Sequence, residues 1–332
     1  MATMDCLPLP HTNLAPSRLC LGTGSFGSAI PRDTAWAILD AFADAGGTCV
    51  DTAHVYAAWL PQGAGASERT IGDWLKSRGL RRQFIVSTKG GHPDLPTMHI
   101  SRLSPAEIAH DLAESLERLQ ADSIDLYWLH RDDPAVPVGE IMDALHAHLA
   151  AGRVRAIGAS NWTPARLDAA AAYARARGLA SFCASQIGWS LAQANPEMIG
   201  QNGMLYMDTG TLEYHRRSGL PVMAYSSQGQ GFFSGKYARS LLTARGQATA
   251  TEAMAHLYFS EANFARLERA QALAAQAGVT ANQIALAYLL SQPFPVYPIV
   301  GCRTVEQVRA SCAASGLQLD EGEVAWLEGN NP

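Results

Sequence analysis

Residues 22–27 read GTGSFG, and the fold of the chain turns on what those three glycines do. The string matches G-x-G-x-x-G, the phosphate-binding turn of a doubly wound dinucleotide-binding sheet. Such a turn must follow a strand, run straight into a helix, and be answered by an acid at the end of the next strand. A strand does precede it, in RLCLGTG from Arg18. The helix signal comes too late: Pro31 and Asp33 open the run TAWAILDAFADAGG, which Gly46 and Gly47 stop. The only acid near the required distance is Asp51, and its surroundings point to another role. The three glycines are therefore read as a loop that ends a first strand.

Working outward, the chain alternates without a break. TCVDTA reads as a strand, and ASERTIGDWLKSRG as an amphipathic helix with Ser67 as N-cap and Gly79 as stop. QFIVSTKGG is a buried strand ending at Lys89, followed by a helix with Pro105 in its first turn. IDLYWLHRDDP is a strand ending at His130, and VRAIGASNW another, followed by a helix capped by Thr163 and Pro164. FCASQIGW and PVMAYSS follow as strands, then a long insertion from Gln228 to about Tyr258, two helices, the strand VYPIVGCRT and a helix. Near-continuous apolar strands separated by helices are the mark of a parallel sheet covered on both faces. About eight such units predict a closed (β/α)8 TIM barrel, with residues 1–332 as one domain and a long loop insertion after the seventh strand.

Apolar residues make up 48% of the 332 and charged residues 17%, a globular balance that needs no metal or disulfide for its core. The net charge of −5, without a long run of Lys or Arg, argues against nucleic acid or an anionic membrane as partner. The six cysteines are scattered and form no C-x-x-C pair, as expected of free thiols in a reducing compartment. Asp5 and three prolines interrupt the first 20 residues where a signal peptide needs an apolar run. The expectation is a cytoplasmic protein with a small-molecule partner.

Chemistry in such barrels sits at the C-terminal ends of the strands. The polar residues there are Asp51, Lys89, His130, Ser160 with Asn161, Gln186, and Tyr225 with Ser226 and Ser227; Tyr56 lies in the loop after the second strand. Any one of these could simply end a strand. Asp, Tyr, Lys and His in this order at successive strand ends form a more specific combination, suited to proton transfer. A tyrosine is a weak acid alone. A neighbouring ammonium favours its phenolate, and a carboxylate holds that ammonium in place.

These residues lie in DTAHVY with GASE behind it, STKGG, LYWLHRDD, GASNW, ASQ before IGWS, AYSSQGQGFFSGKY and PIVGCRTVEQ. Over nearly its whole length the sequence resembles the aldo-keto reductase family. The resemblance implies a TIM barrel, reversible carbonyl reduction, and an extended nicotinamide cofactor, normally NADPH. It puts the catalytic tetrad on Asp51, Tyr56, Lys89 and His130. It puts the nicotinamide carboxamide on Asn161 and Gln186 beside Ser160, the ring on Tyr225, and the pyrophosphate along Ser226, Ser227, Gln228 and Gly229. The adenosine 2′-phosphate falls to Gly301, Arg303, Thr304 and Gln307, with Arg303 as its fork. Gln307 stands where many members carry a second basic residue, and Ala310 and Ser311 where they carry an acid–asparagine pair, so NAD stands beside NADP. The substrate implied is an aldehyde or ketone, sugar-derived carbonyls among them. Some members serve mainly as redox-sensing subunits of a channel, which gives a cofactor-binding sensor as the alternative to an enzyme. A Schiff-base isomerase or lyase acting through Lys89 is the third reading.

Trp59, Trp162 and Trp189 each follow a motif position and are candidates for the substrate pocket; Trp128 alternates with His130 into the barrel core. Arg131, Asp132 and Asp133 read as a solvated rim, and His54 as a loop residue able to reach substrate. The insertion after the seventh strand reads as a lid over the cofactor. No metal site is expected.

Overall fold

The computed structural model describes residues 4–197, 199, 203–243 and 257–330. Eight parallel strands close into a barrel, with β8 pairing back to β1 through Cys20↔Ile299 and Gly22↔Gly301. The strands are β1 (Cys20–Gly22), β2 (Cys49–Asp51), β3 (Ile85–Gly90), β4 (Ile124–Leu129), β5 (Val154–Ser160), β6 (Ser185–Gly188), β7 (Val222–Tyr225) and β8 (Val296–Gly301). Around them lie α1 (Arg32–Asp44), α2 (Ala66–Arg78), α3 (Pro105–Leu119), α4 (Val138–Ala150), α5 (Pro164–Arg177), α6 (Thr209–Ser218), α7 (Glu261–Ala277), α8 (Ala281–Leu290), α9 (Val305–Ala313) and α10 (Glu321–Glu328). Among the described residues no single helix is long and apolar enough to cross a membrane.

Local chemistry explains the boundaries. Ser104 and Glu107 form a capping box at the start of α3, Thr163 accepts from Arg166 N at the start of α5, and Gly79 ends α2 in the left-handed region at φ 65°. One cap differs from expectation. α2 starts at Ala66 behind Gly65, so Ser67 is inside the helix rather than its cap. Its hydroxyl is buried and bonds Thr23 and Thr52 instead, tying α2 to the ends of β1 and β2.

The barrel interior is filled by Cys20, Cys49, Leu126, Trp128, Ala156, Met223 and Tyr297, with Leu9 and Leu14 packed against them from the N-terminal segment. That segment doubles back on itself, Leu9 N donating to Leu14 O, and Tyr297 Oη donates to Leu7 O, so it plugs the N-terminal mouth. The chemistry is thereby confined to the opposite mouth. Trp128 is fully buried in this interior, as its alternation with His130 predicts. All six cysteines are free thiols and only Cys6 is exposed.

The insertion after β7 begins with an irregular helical turn, Gly229–Ser234. Phe232 is buried there against Phe233, Tyr237, Phe259 and Phe264. The two flanks of the insertion are therefore packed onto the barrel's outer layer. The central part of the expected lid, 244–256, lies outside the described residues.

Candidate active site

Asp51 is the last residue of β2, Lys89 the fifth of six in β3, and His130 follows β4 directly. Backbone bonds fix the loops that carry them: His54 N donates to Lys89 O at 2.9 Å and His130 N to Gly90 O at 2.8 Å. Tyr56 returns over the strand ends on a turn in which Ala57 adopts φ 66°. These four residues converge. Lys89 Nζ donates to Asp51 Oδ2 at 2.5 Å, to Thr52 O at 2.6 Å and to Tyr56 Oη at 3.0 Å. Asp51 Oδ1 accepts from Ser87 Oγ at 2.8 Å and from Gln186 Nε2 at 3.1 Å. Ser87 in turn accepts from Trp128 Nε1 at 2.6 Å, so the chain of contacts runs from the barrel interior to the phenol.

The electrostatics follow from this packing. Burial alone would push the Lys89 ammonium down, but the Asp51 carboxylate and the Tyr56 phenol override it and hold the pKa above its ordinary value. Burial pushes the Tyr56 phenol up, against the pull of Lys89. The sequence argument expected Lys89 to lower this pKa; here burial wins. His130 lies well below its ordinary value through burial and the cations Lys89 and Arg131. His92, 4.9 Å from His130 ring to ring, is pushed down to about 4, chiefly by burial. His130 is therefore neutral at ordinary pH, and its buried Nδ1 has no partner among the described residues.

A cleft of about 750 Å3 runs from the end of β1 to the end of β8, and GTGSFG lines it through Gly22, Gly24, Ser25 and Phe26. Two of the three glycines are spatial requirements: a Cβ on Gly22 would lie 2.9 Å from the Ile299 side chain. Gly27 has φ 68°, and a Cβ on it would lie 2.2 Å from Thr70 Oγ1. Ser226, Ser227, Gln228, Gly301, Arg303 and Gln307 line the same cleft. Gln228 spans its wall, accepting from Gly301 N and donating to Ser311 Oγ. Ser227 Oγ donates to Ile299 O, and Gly229 sits beside it at φ 55°. Thr304 caps α9 by accepting from Gln307 N, while Gln307 Oε1 accepts from Arg303 N. Those two side chains are occupied in building the helix start, whereas the Arg303 side chain is exposed. Lys236, which the sequence reading did not single out, also lines the cleft; the lysine of SGKY was the available signal.

On the other side, Asn161 adopts φ 62° and Ser226 φ 53°. Asn161 Nδ2 donates to His130 O and Ser160 Oγ, and its Oδ1 accepts from Leu205 N and Tyr225 Oη. Ser160 Oγ donates to Gln186 O. Ser160, Asn161, Gln186 and Tyr225 thus form one bonded wall beside the tetrad.

Several expected pocket residues are elsewhere. Trp162 is buried, edge-on to Phe182 with Arg166 over its ring, and belongs to the packing between strands and helices. Trp189 stacks on Phe294 at 5.8 Å in a separate core cluster. Trp59 remains exposed in the loop after β2, at 56% of its surface. His54 is no free loop residue; it bonds Glu114 at 2.7 Å. Asp132 is no solvated rim residue either, since Arg166 grips both its oxygens.

The chain is thus a closed (β/α)8 barrel that carries a lysine–carboxylate–phenol chain of hydrogen bonds at its C-terminal mouth. The model of the Aldo/keto reductase family matches residues 18–331, and the chain belongs to that family. It is 34% identical to the uncharacterized oxidoreductase YrpG of Bacillus subtilis, over 96% of this chain and 93% of that one. It is 31% identical to norsolorinic acid reductase stcV of Emericella nidulans, over 97% and 80%. It is 28% identical to protein tas of Escherichia coli, over 96% and 95%. Membership makes the chain an oxidoreductase of small-molecule carbonyl compounds, in a family that generally uses NAD(P)H.

Proposed function

We propose that the chain is an NADPH-dependent reductase of aldehydes or ketones, sugar-derived ones included, in which Tyr56 donates the proton. The observation that carries this reading is the 3.0 Å bond from Lys89 Nζ to Tyr56 Oη, with the other two ammonium donors on Asp51 and Thr52 O. When bound, the nicotinamide supplies a hydride to the carbonyl carbon. Negative charge then builds on the carbonyl oxygen and needs a proton. Tyr56, its pKa raised by burial, is protonated at neutral pH and has that proton to give. The phenolate left behind is stabilised by Lys89, which Asp51 keeps charged. His130, neutral, orients the carbonyl oxygen by hydrogen bonding rather than by protonating it.

The dinucleotide fits the residues present. The 750 Å3 cleft ends beside Arg303 at the start of α9, where an exposed guanidinium favours a phosphate. Lys236 adds a second cation on the same cleft, which supports NADP over NAD. The Asn161–Gln186 wall and Tyr225 are read as the seat of the nicotinamide.

The test is NADPH consumption across a panel of aldehydes, ketones and sugars, beside Tyr56→Phe. Turnover should fall by roughly a hundredfold or more in the variant, with NADPH binding retained. Tight NADPH binding without turnover on any compound would favour the sensor reading. Failure to bind either nucleotide would sink the cofactor assignment.

A further inference from the structure

Arg131 is a partly buried arginine at the site without a carboxylate. It follows His130 directly, donates from Nη1 to His130 O at 3.0 Å, and its buried Nε has no partner among the described residues. The arginines around it are all paired: Arg102 with Asp111 at 2.6 Å, Arg118 with Glu68 at 3.3 Å, Arg166 with Asp132 at 2.8 Å. The two acids next in sequence do not serve it. Asp132 gives both oxygens to Arg166, and Asp133 Oδ1 accepts from Ala135 N. The charges that act on Arg131 are instead those of the phenols of Tyr56, Tyr206 and Tyr225, and its own charge acts on the imidazoles of His92 and His130. Its stem is covered by the loop after β6, where a Cβ on Gly203 would stand 3.6 Å from Arg131 Cδ.

Beside it is a cavity of about 180 Å3, lined by Arg131, Arg102, Ser101 and Gly91 together with Asp132 and Asp133. Ser101 Oγ is buried and, like Arg131 Nε, has no partner among the described residues. A guanidinium withdrawn from water and left without a counter-charge is costly. Arg131 and Ser101, the residues with the two unused donors, both line this cavity; of the two acids that share the lining, Asp132 is already held by Arg166 and neither forms an ion pair with Arg131 among the described residues. Burial pushes the Arg131 pKa down, with the phenols only partly offsetting it, as expected of a cation that lacks its anion.

We propose that Arg131 and Ser101 receive a carboxylate carried by the substrate, so that the preferred substrate is an oxo acid whose carbonyl reaches Tyr56 while its carboxylate enters this cavity. The inference rests on the reductase reading above and names its substrate class. A carboxylate accepting from both a guanidinium and a hydroxyl gains charge-assisted hydrogen bonds that a neutral ester cannot replace.

The experiment compares para-carboxybenzaldehyde with its methyl ester, on the NADPH-loaded full chain, for the wild type, Arg131→Gln and Arg131→Lys. The wild-type ratio of kcat/KM, acid over ester, should be on the order of ten to a hundred. It should fall to roughly one in Arg131→Gln and be intermediate in Arg131→Lys. A ratio near one in the wild type, or an equal loss on both substrates in Arg131→Gln, would overturn the proposal, because a merely structural arginine lowers both alike. Calorimetric titration of wild-type protein with benzoate and with benzamide gives a readout independent of turnover and of the variants. Benzoate should bind at least about tenfold more tightly; equal affinity would overturn the proposal. If neither aldehyde is reduced while benzoate binds selectively, the reductase reading fails and the anion site stands.

Discussion

Asp51 and Lys89 lend themselves to a double-mutant cycle, because both partners are almost wholly withdrawn from water, at 3% and 1% of their side-chain surface. Asp51→Asn leaves the ammonium with Thr52 O and Tyr56 Oη only. Lys89→Met leaves the carboxylate with Ser87 and Gln186 only. Each change strands one buried charge, which costs roughly 3–5 kcal/mol. At this chain length that is a fall in Tm of about 4–7 °C. The double variant strands neither, so its loss should be smaller than the sum of the singles by about 2–3 kcal/mol. The assay is urea unfolding of all four proteins near pH 7. The pH dependence has a definite sign. Lys89 has a folded pKa above its unfolded value of about 10.4, so its contribution is complete below that pH and is lost as pH rises through the folded value. The coupling should therefore be flat from about pH 6 to 9 and shrink only above about 10. Additivity within about 0.5 kcal/mol near neutrality would refute the claim that the pair is energetically linked.

Other consequences can be checked separately. Arg303→Leu should raise the Kd for NADPH by roughly tenfold to a hundredfold and that for NADH by less than about threefold, read by fluorescence titration; equal effects would remove the argument for NADP. A Cβ at Gly188 would lie 2.4 Å from the Tyr206 ring, so Gly188→Ala should cost about 1–3 kcal/mol in urea unfolding. The folded pKa of His92, depressed to about 4, makes its contribution to stability complete above about pH 6.5 and lost as pH falls toward 4. His92→Gln should accordingly show a shallower loss of urea midpoint between those limits, with His130 supplying the remaining slope in the same direction.

Much of this could be read from the sequence, for identifiable reasons. Strands buried on both faces leave long apolar runs, and the residue that ends such a run is conspicuous when it is Asp51, Lys89 or His130. The cap at Thr163 depends on a neighbour three residues away and was equally plain, whereas the Ser104–Glu107 capping box was not singled out. What escaped depends on partners far along the chain. Ser67 looks like a cap until Thr23 and Thr52 claim its hydroxyl. His54 looks mobile until Glu114 on α3 fixes it, and Trp162 looks available until Phe182 covers it. The N-terminal plug carries no periodic signal, because Leu9 and Leu14 act through a short reversal of the chain. By contrast α10 had a legible start, since Asp320 and Glu323 form a capping box that the sequence reading passed over.

The geometry of Lys89 also weighs between two kinds of chemistry. A lysine that forms a Schiff base must lose its proton and present a free lone pair to a carbonyl carbon. Enzymes reach that state by desolvating the amine or placing another cation beside it. Lys89 is desolvated, but its nearest charge is the carboxylate of Asp51 at 2.5 Å, and the net direction of its pKa is upward. Its three donors are all engaged, one of them by the phenol that would hold the reacting proton. A substrate carbon could reach the nitrogen only by breaking a buried ion pair and displacing Tyr56. The same three bonds that make Lys89 a poor nucleophile make it a fixed positive charge beside the Tyr56 oxygen, which is what a phenolate formed during proton donation requires. Borohydride trapping of a keto substrate on Lys89 would reverse this argument; its absence alongside NADPH-dependent turnover is the expected result.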